Sequence, residues 1–122
     1  MKLKEMLNKG QFLSVPGVFD PLSAKVAASS GARTLYMTGY GISASLLGKP
    51  DAGLVSYREM VDRVRAICEV TELPLIADGD TGFGGLANVK QAVQGYEAAG
   101  ASAIQLEDQE YPKRCGHTKH RK

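Results

Sequence analysis

Carboxylates and one thiol carry the chemistry open to this sequence. Asp78 and Asp80 close an apolar run, Leu73–Ala77, and lead into the glycine-rich turn Gly79-Asp-Thr-Gly-Phe-Gly-Gly85. Residues two apart on a strand point to the same side, so both carboxylates face one site. Like charges that close repel unless a cation lies between them. Oxygen donors without softer partners suit a hard ion, Mg2+ or Mn2+. The plainer alternative is Asp and Gly serving a turn. Asp51 and Glu107 weigh against it, because they too follow apolar strand-like segments, and exposed carboxylates with no shared task would fall as readily on helices. The second chemical stretch is Tyr111-Pro-Lys-Arg-Cys-Gly-His117. Lys113, Arg114 and His117 surround Cys115 with positive charge, which favours a thiolate, and Gly116 gives the loop backbone freedom.

Two rival readings are weaker. Gly82-Phe-Gly-Gly-Leu-Ala87 fits the short G-x-G-x-x-A dinucleotide pattern, but Asp78 and Asp80 just upstream would oppose a bound pyrophosphate. Cys115, His117 and His120 lack a fourth ligand for structural zinc.

The elements that must position these groups follow from periodicity. Leu3, Met6 and Leu7 are spaced along one face of a short helix over residues 3–9. Phe12–Phe19 is the first strand candidate, broken or shortened by Pro16-Gly17. Asp20 caps a helix that begins with Pro21 and stops at Gly31. Thr34–Thr38 is a second strand and Ile42–Leu47 a short helical segment. Ser56 and Glu59 form a capping box, followed by a buried stripe of Met60, Val61, Val64, Ile67 and Cys68. Leu73–Ala77 is the third strand. A helix over Leu86–Ala99, with Val89, Ala92, Val93 and Tyr96 inward, precedes the fourth, Ser102–Leu106. Such alternation gives an α/β fold with a parallel sheet, either doubly wound or part of a (β/α)8 barrel. A barrel needs about 250 residues, so the 122 residues here are expected to be a piece of a longer enzyme.

A net charge of +2 is too small to point to nucleic acid or an anionic membrane as partner. No apolar run approaches a membrane span. Two cysteines in unrelated contexts do not make a disulfide framework, so a cytoplasmic location is expected.

Asp78-Gly-Asp-Thr-Gly-Phe-Gly-Gly85, Leu106-Glu-Asp-Gln109 and Pro112-Lys-Arg-Cys-Gly-His117 together closely resemble the isocitrate lyase/phosphoenolpyruvate mutase superfamily, in its carbon–carbon lyase branch. Tyr36–Ser45 and Leu47-Gly-Lys-Pro-Asp51 resemble the family's second strand and its following loop. The resemblance implies a (β/α)8 TIM barrel, of which residues 1–122 would be the N-terminal half, ending in a mobile gating loop. It implies a Mg2+-dependent lyase that cleaves a methylisocitrate- or alkylmalate-like 2-hydroxy acid to a 2-oxo acid and a carboxylate. Oxaloacetate hydrolysis or decarboxylation, or an inactive half-barrel, are the alternatives. By position it assigns the metal to Asp78 directly and to Asp51, Asp80 and Glu107 through water. Tyr36, Thr38, Gly39 and Tyr40 would bind the 2-oxo-acid end, with Gly116 also lining the substrate. Cys115 would be the catalytic thiol, with Lys113, Arg114 and His117 on the same loop. A homotetramer is the implied assembly.

Overall fold

Four short parallel strands make the sheet: β1 (Gly17–Val18), β2 (Leu35–Met37), β3 (Leu75–Asp78) and β4 (Ala103–Gln105). They belong to a computed structural model that describes residues 2–119. The strands lie side by side in chain order, β1-β2-β3-β4. A doubly wound sheet reverses its order at a switch point, whereas a (β/α) barrel adds each strand beside the last. Sequential order therefore separates the two architectures that the sequence left open, in favour of the barrel type.

Register assigns the faces. Gly17, Tyr36, Ile76 and Ala103 are partners across the sheet, as are Val18, Met37, Ala77 and Ile104. One pleat row, including Val18, Leu35, Met37, Leu75 and Ala77, is buried against the helices. The other row carries Tyr36 and Ile76, only half-buried, and ends in Asp78 beside the exposed Gln105. Helices thus cover one side of the sheet and the chemistry occupies the other.

Local signals fix the helix starts. In α2 (Pro21–Ser29) the Ser23 amide donates to Asp20 Oδ1 at 2.7 Å and the Asp20 amide to Ser23 Oγ at 3.1 Å. In α4 (Tyr57–Cys68) Ser56 and Glu59 exchange the same kind of pair, at 2.7 and 3.3 Å. Met60, Val61, Val64 and Ile67 form the buried stripe of α4, each burial contributing on the order of 1.5–3 kcal/mol. Cys68 is only half-buried and packs at the margin of that core. α5 (Leu86–Ala98) ends before Gly100, whose φ of +108° reverses the chain.

The structure corrects several expectations. β1 holds only Gly17–Val18, because Pro16 has no N–H; its carbonyl instead accepts from the Tyr36 amide at 3.0 Å. Phe12 is left outside, almost fully exposed. In α1 (Leu3–Asn8) Leu3 and Met6 are buried but Leu7 faces solvent, and in α5 Val93 is exposed while Ala92 and Tyr96 are buried. The helical segment after β2 begins earlier than expected. Thr38 Oγ1 accepts from the Gly41 amide at 3.3 Å and starts α3 (Gly39–Ile42), which runs on into a π-helical turn, Ser43–Leu47.

Candidate active site

The strand ends bring the carboxylates together. Asp78 is the last residue of β3, and its side chain is held by two backbone donors: Gly39 N–H to Oδ2 at 3.1 Å and Asp80 N–H to Oδ1 at 3.0 Å. Tyr96, deep in α5, donates its hydroxyl to the Asp78 carbonyl at 2.9 Å and fixes the strand end from behind. Asp80 adopts a left-handed φ of +48°, which Asp tolerates better than most residues, and its carbonyl accepts from the Glu107 amide at 2.8 Å. The turn beyond it is seated by Phe83, whose ring meets Tyr57 edge-on, centroids 5.7 Å apart. Asp51 arrives from a loop anchored by buried Ser43, whose hydroxyl lies 3.0 Å from both the Lys49 and Pro50 carbonyls.

Lys113 closes this group. Its ammonium lies 2.8 Å from Asp51 Oδ1 and 2.5 Å from Asp80 Oδ1, with all three side chains nearly buried. Burial alone would lower the lysine's pKa, but the hydrogen bonds and charges of Asp51 and Asp80 raise it above its ordinary value, so it stays protonated. Asp80 is pushed up to about 6, chiefly by burial and against the pull of Lys113. Asp80 Oδ1 has the ammonium beside it, yet accepts no well-directed hydrogen bond among the described residues. Tyr36 is held neutral: burial, then the charges of Asp78 and Glu107, raise its pKa.

These residues fit a divalent cation. A buried carboxylate oxygen without a directed donor, beside a monovalent cation that already bridges Asp51 and Asp80, is a donor set that a hard ion would satisfy. Gly39 leaves the space open: a Cβ there would lie 2.8 Å from Asp78 Oδ2 and 3.7 Å from Asp80 Oδ1. As placed, no three His, Cys, Asp or Glu side chains among the described residues stand close enough to hold a metal by themselves. Lys113 is the cation of the cluster.

The thiol loop is distributed differently from its sequence order. Lys113 turns its ammonium to Asp51 and Asp80, so its charge is compensated there and is not the thiol's own. Cys115 is half-buried and free of disulfide, and its carbonyl accepts from Thr118 N–H at 2.8 Å. Arg114 and Gly116 are exposed, and His117 stacks edge-on against Tyr40 at 5.9 Å between ring centroids. His120 lies outside the described residues. Of the segment expected to bind an oxo acid, Tyr36 and Thr38 lie on the chemical side of the sheet, and Tyr40 is exposed near the thiol loop. The Gly39 amide already serves Asp78. Glu107 stands apart from the three aspartates and accepts from the side-chain amide of Gln109. Sequence reasoning missed Ser43, Tyr96 and Gln109 as supports. Tyr96 is spaced like a core residue, and only a hydroxyl at a core position hinted at a polar partner.

Sequential parallel strands with their chemistry gathered at the C-terminal ends define a (β/α) barrel-type α/β protein. The family model for phosphoenolpyruvate phosphomutase matches residues 3–121, and the chain belongs to that family, in the phosphoenolpyruvate mutase/isocitrate lyase superfamily. It is 51% identical over 116 residues to 2,3-dimethylmalate lyase of Eubacterium barkeri, covering 95% of this chain and 40% of that one. Among solved structures it resembles oxaloacetate acetylhydrolase in complex with 3,3-difluorooxalacetate (TM-score 0.94, 43% identity, 99% of this chain and 42% of the other). It also resembles phosphonopyruvate hydrolase in complex with oxalate and Mg2+ (TM-score 0.88, 40% identity, 93% and 41%). The chain therefore spans about two fifths of the length of such relatives. Among the described residues no helix is long and apolar enough to cross a membrane.

Proposed function

We propose that this chain supplies the carboxylate cluster and the acid thiol of a carbon–carbon lyase acting on a small 2-hydroxy di- or tricarboxylate, of the methylisocitrate or alkylmalate kind. The observation that carries the reading is the meeting of Asp51 and Asp80 on one buried cation, the Lys113 ammonium, at the strand ends, with the Asp78 carboxylate held beside Asp80 by the Asp80 amide. The likeness to 2,3-dimethylmalate lyase and the oxalate and Mg2+ bound by phosphonopyruvate hydrolase support it.

In this reading Asp78 would hold Mg2+ or Mn2+ directly, with Asp80 and Asp51 beside it and the more distant Glu107 reaching the ion through water. The ion supplies Lewis-acid stabilisation of the oxo acid's oxygens. The substrate's hydroxyl proton passes to a carboxylate of this cluster acting as base, the adjacent C–C bond breaks with its electron pair left on the departing carboxylate fragment, and a 2-oxo acid forms. Cys115 Sγ–H gives its proton to the resulting carbanion, completing the carboxylate product. Tyr36, kept neutral by burial and by its carboxylate neighbours, offers an O–H donor to the oxo-acid end, with Thr38, Gly39, Tyr40 and Gly116 around it. His117 and Arg114 on the exposed loop meet the substrate carboxylates, and closure of that loop excludes water while the carbanion exists. The complete protein acts in the cytoplasm as a homo-oligomer.

The test is direct. The longer protein containing this chain, given 2,3-dimethylmalate or 2-methylisocitrate with Mg2+, is expected to release a 2-oxo acid, and Cys115→Ser to lose most turnover while still binding metal. Wild-type turnover in the serine variant would remove the thiol from the mechanism. A second reading, hydrolysis of oxaloacetate, is favoured by the close structural match to oxaloacetate acetylhydrolase. Oxalate release from oxaloacetate, exceeding lyase turnover, would select it.

A further inference from the structure

Gln109 makes more directed contacts than any role given to it so far requires. Its side-chain Oε1 accepts from the Arg114 amide at 3.1 Å, and its Nε2 donates to the Arg114 carbonyl, also at 3.1 Å. The second Nε2 hydrogen points to the Glu107 carboxylate. The side-chain amide thus pairs with both backbone groups of one residue, as a neighbouring strand would, and uses both of its donors. Only one orientation of the amide satisfies this set: turned over, its oxygen would face the Glu107 carboxylate and the Arg114 carbonyl, both acceptors.

From this geometry we infer that Gln109 is the positioning residue of the thiol loop. It closes residues 109–114 into a fixed turn and ties that turn to Glu107. Arg114 directly precedes Cys115, so clamping both backbone groups of Arg114 sets where the thiol starts. Lys113, on the other side of Arg114, enters the aspartate cluster from the same turn. The loop is therefore held at two neighbouring points, by an amide clamp at Arg114 and by an ion pair at Lys113. A methylene less in the side chain would leave the amide unable to reach Arg114 and Glu107 together. That the turn serves a catalytic thiol rests on the lyase reading above; the clamp itself does not.

The test uses the 122-residue chain and two substitutions. Gln109→Met keeps the length and removes the hydrogen bonds, while Gln109→Asn keeps the amide and shortens its reach. In both, exchange of the Arg114 amide hydrogen is expected to quicken at least tenfold, with the β2 and β3 amides unchanged. Alkylation of Cys115 by iodoacetamide is expected to rise several-fold, with Cys68 as the internal control. Wild-type protection of the Arg114 amide in either folded variant overturns the inference, as does an unchanged Cys115 rate in both. In the longer protein the same substitutions should lower kcat and leave KM for the 2-oxo-acid product, measured in the reverse direction, near wild type. If exchange responds and no lyase turnover exists in wild type, the clamp stands and the proposed reaction falls.

Discussion

Replacing Lys113 with methionine isolates the electrostatics of the aspartate cluster, because the side chain keeps nearly its length and loses only its charge. The Lys113 side chain is 3% exposed and its ammonium meets Asp51 and Asp80 side chains that are 9% and 10% exposed, so water cannot take its place cheaply. Removing one partner of a buried pair costs about 3–5 kcal/mol, since the other charge is left uncompensated. For a chain of this size each kcal/mol moves the melting midpoint by roughly 3–5 °C, so the fall is on the order of 10–20 °C. Asp80 sets the pH dependence. Its pKa is raised from 3.8 to about 6, so its neutral form is the one the fold prefers. Its contribution to stability is full below 3.8 and is lost as pH rises through about 6. Without the ammonium its pKa climbs further. The difference between variant and wild type, melted by circular dichroism in EDTA, should therefore be large at about pH 8 and much smaller at about pH 5. Millimolar Mg2+ should recover part of the loss at the higher pH. Equal melting of the two proteins at high pH in EDTA would refute the idea that Lys113 compensates buried charge.

Three further substitutions probe the supports. Gly39→Ala places a methyl 2.8 Å from Asp78 Oδ2; calorimetric titration with Mn2+ should show at least tenfold weaker binding than wild type, with the sheet still folded. Tyr96→Phe removes the hydroxyl bonded to the Asp78 carbonyl and should lower stability by about 1 kcal/mol in urea melts. Asp20→Ala removes an N-cap and should cost about 1 kcal/mol at neutral pH. Backbone and side-chain hydrogen bonds from Ser23 hold the Asp20 carboxyl below its ordinary value. Its contribution is thus present above 3.8 and lost as pH falls through the depressed value, so the two proteins should converge in acid.

The sequence disclosed what depends on near neighbours and concealed what depends on distant ones. The Ser56–Glu59 capping box was legible because its members are three residues apart and answer each other wherever the chain goes, and Asp20 was legible as a cap, though its partner Ser23 was not. The parallel sheet was legible from alternation, but its order required the structure, since sequential and reversed orders share one pattern. Strand ends were misjudged at Phe12, where apolar character outran the hydrogen bonding that Pro16 permits. Lys113 was misread for a related reason. Only Arg114 separates it from Cys115, which suggests a charge meant for the thiol, yet its partner Asp51 lies 62 positions away. Gln109 escaped notice because a glutamine five residues from its target has no periodic signature.

Placement on the sheet explains why stability and chemistry separate so cleanly in this chain. Side chains alternate along a strand, so Leu35, Met37, Leu75 and Ala77 meet the helices while Tyr36, Ile76 and Asp78 meet the other side. The helix-facing row is built of apolar groups almost wholly removed from water, where a Leu35→Ala change would cost about 2–5 kcal/mol without touching a carboxylate. The opposite row gains little from burial and is fixed instead by polar contacts made at its C-terminal end: Gly39 and Tyr96 on Asp78, and the Glu107 amide on Asp80. Each contact comes from a different strand–helix unit. The carboxylate geometry therefore depends on the units staying in register with one another, and a lesion between units should disturb metal binding before it unfolds the sheet.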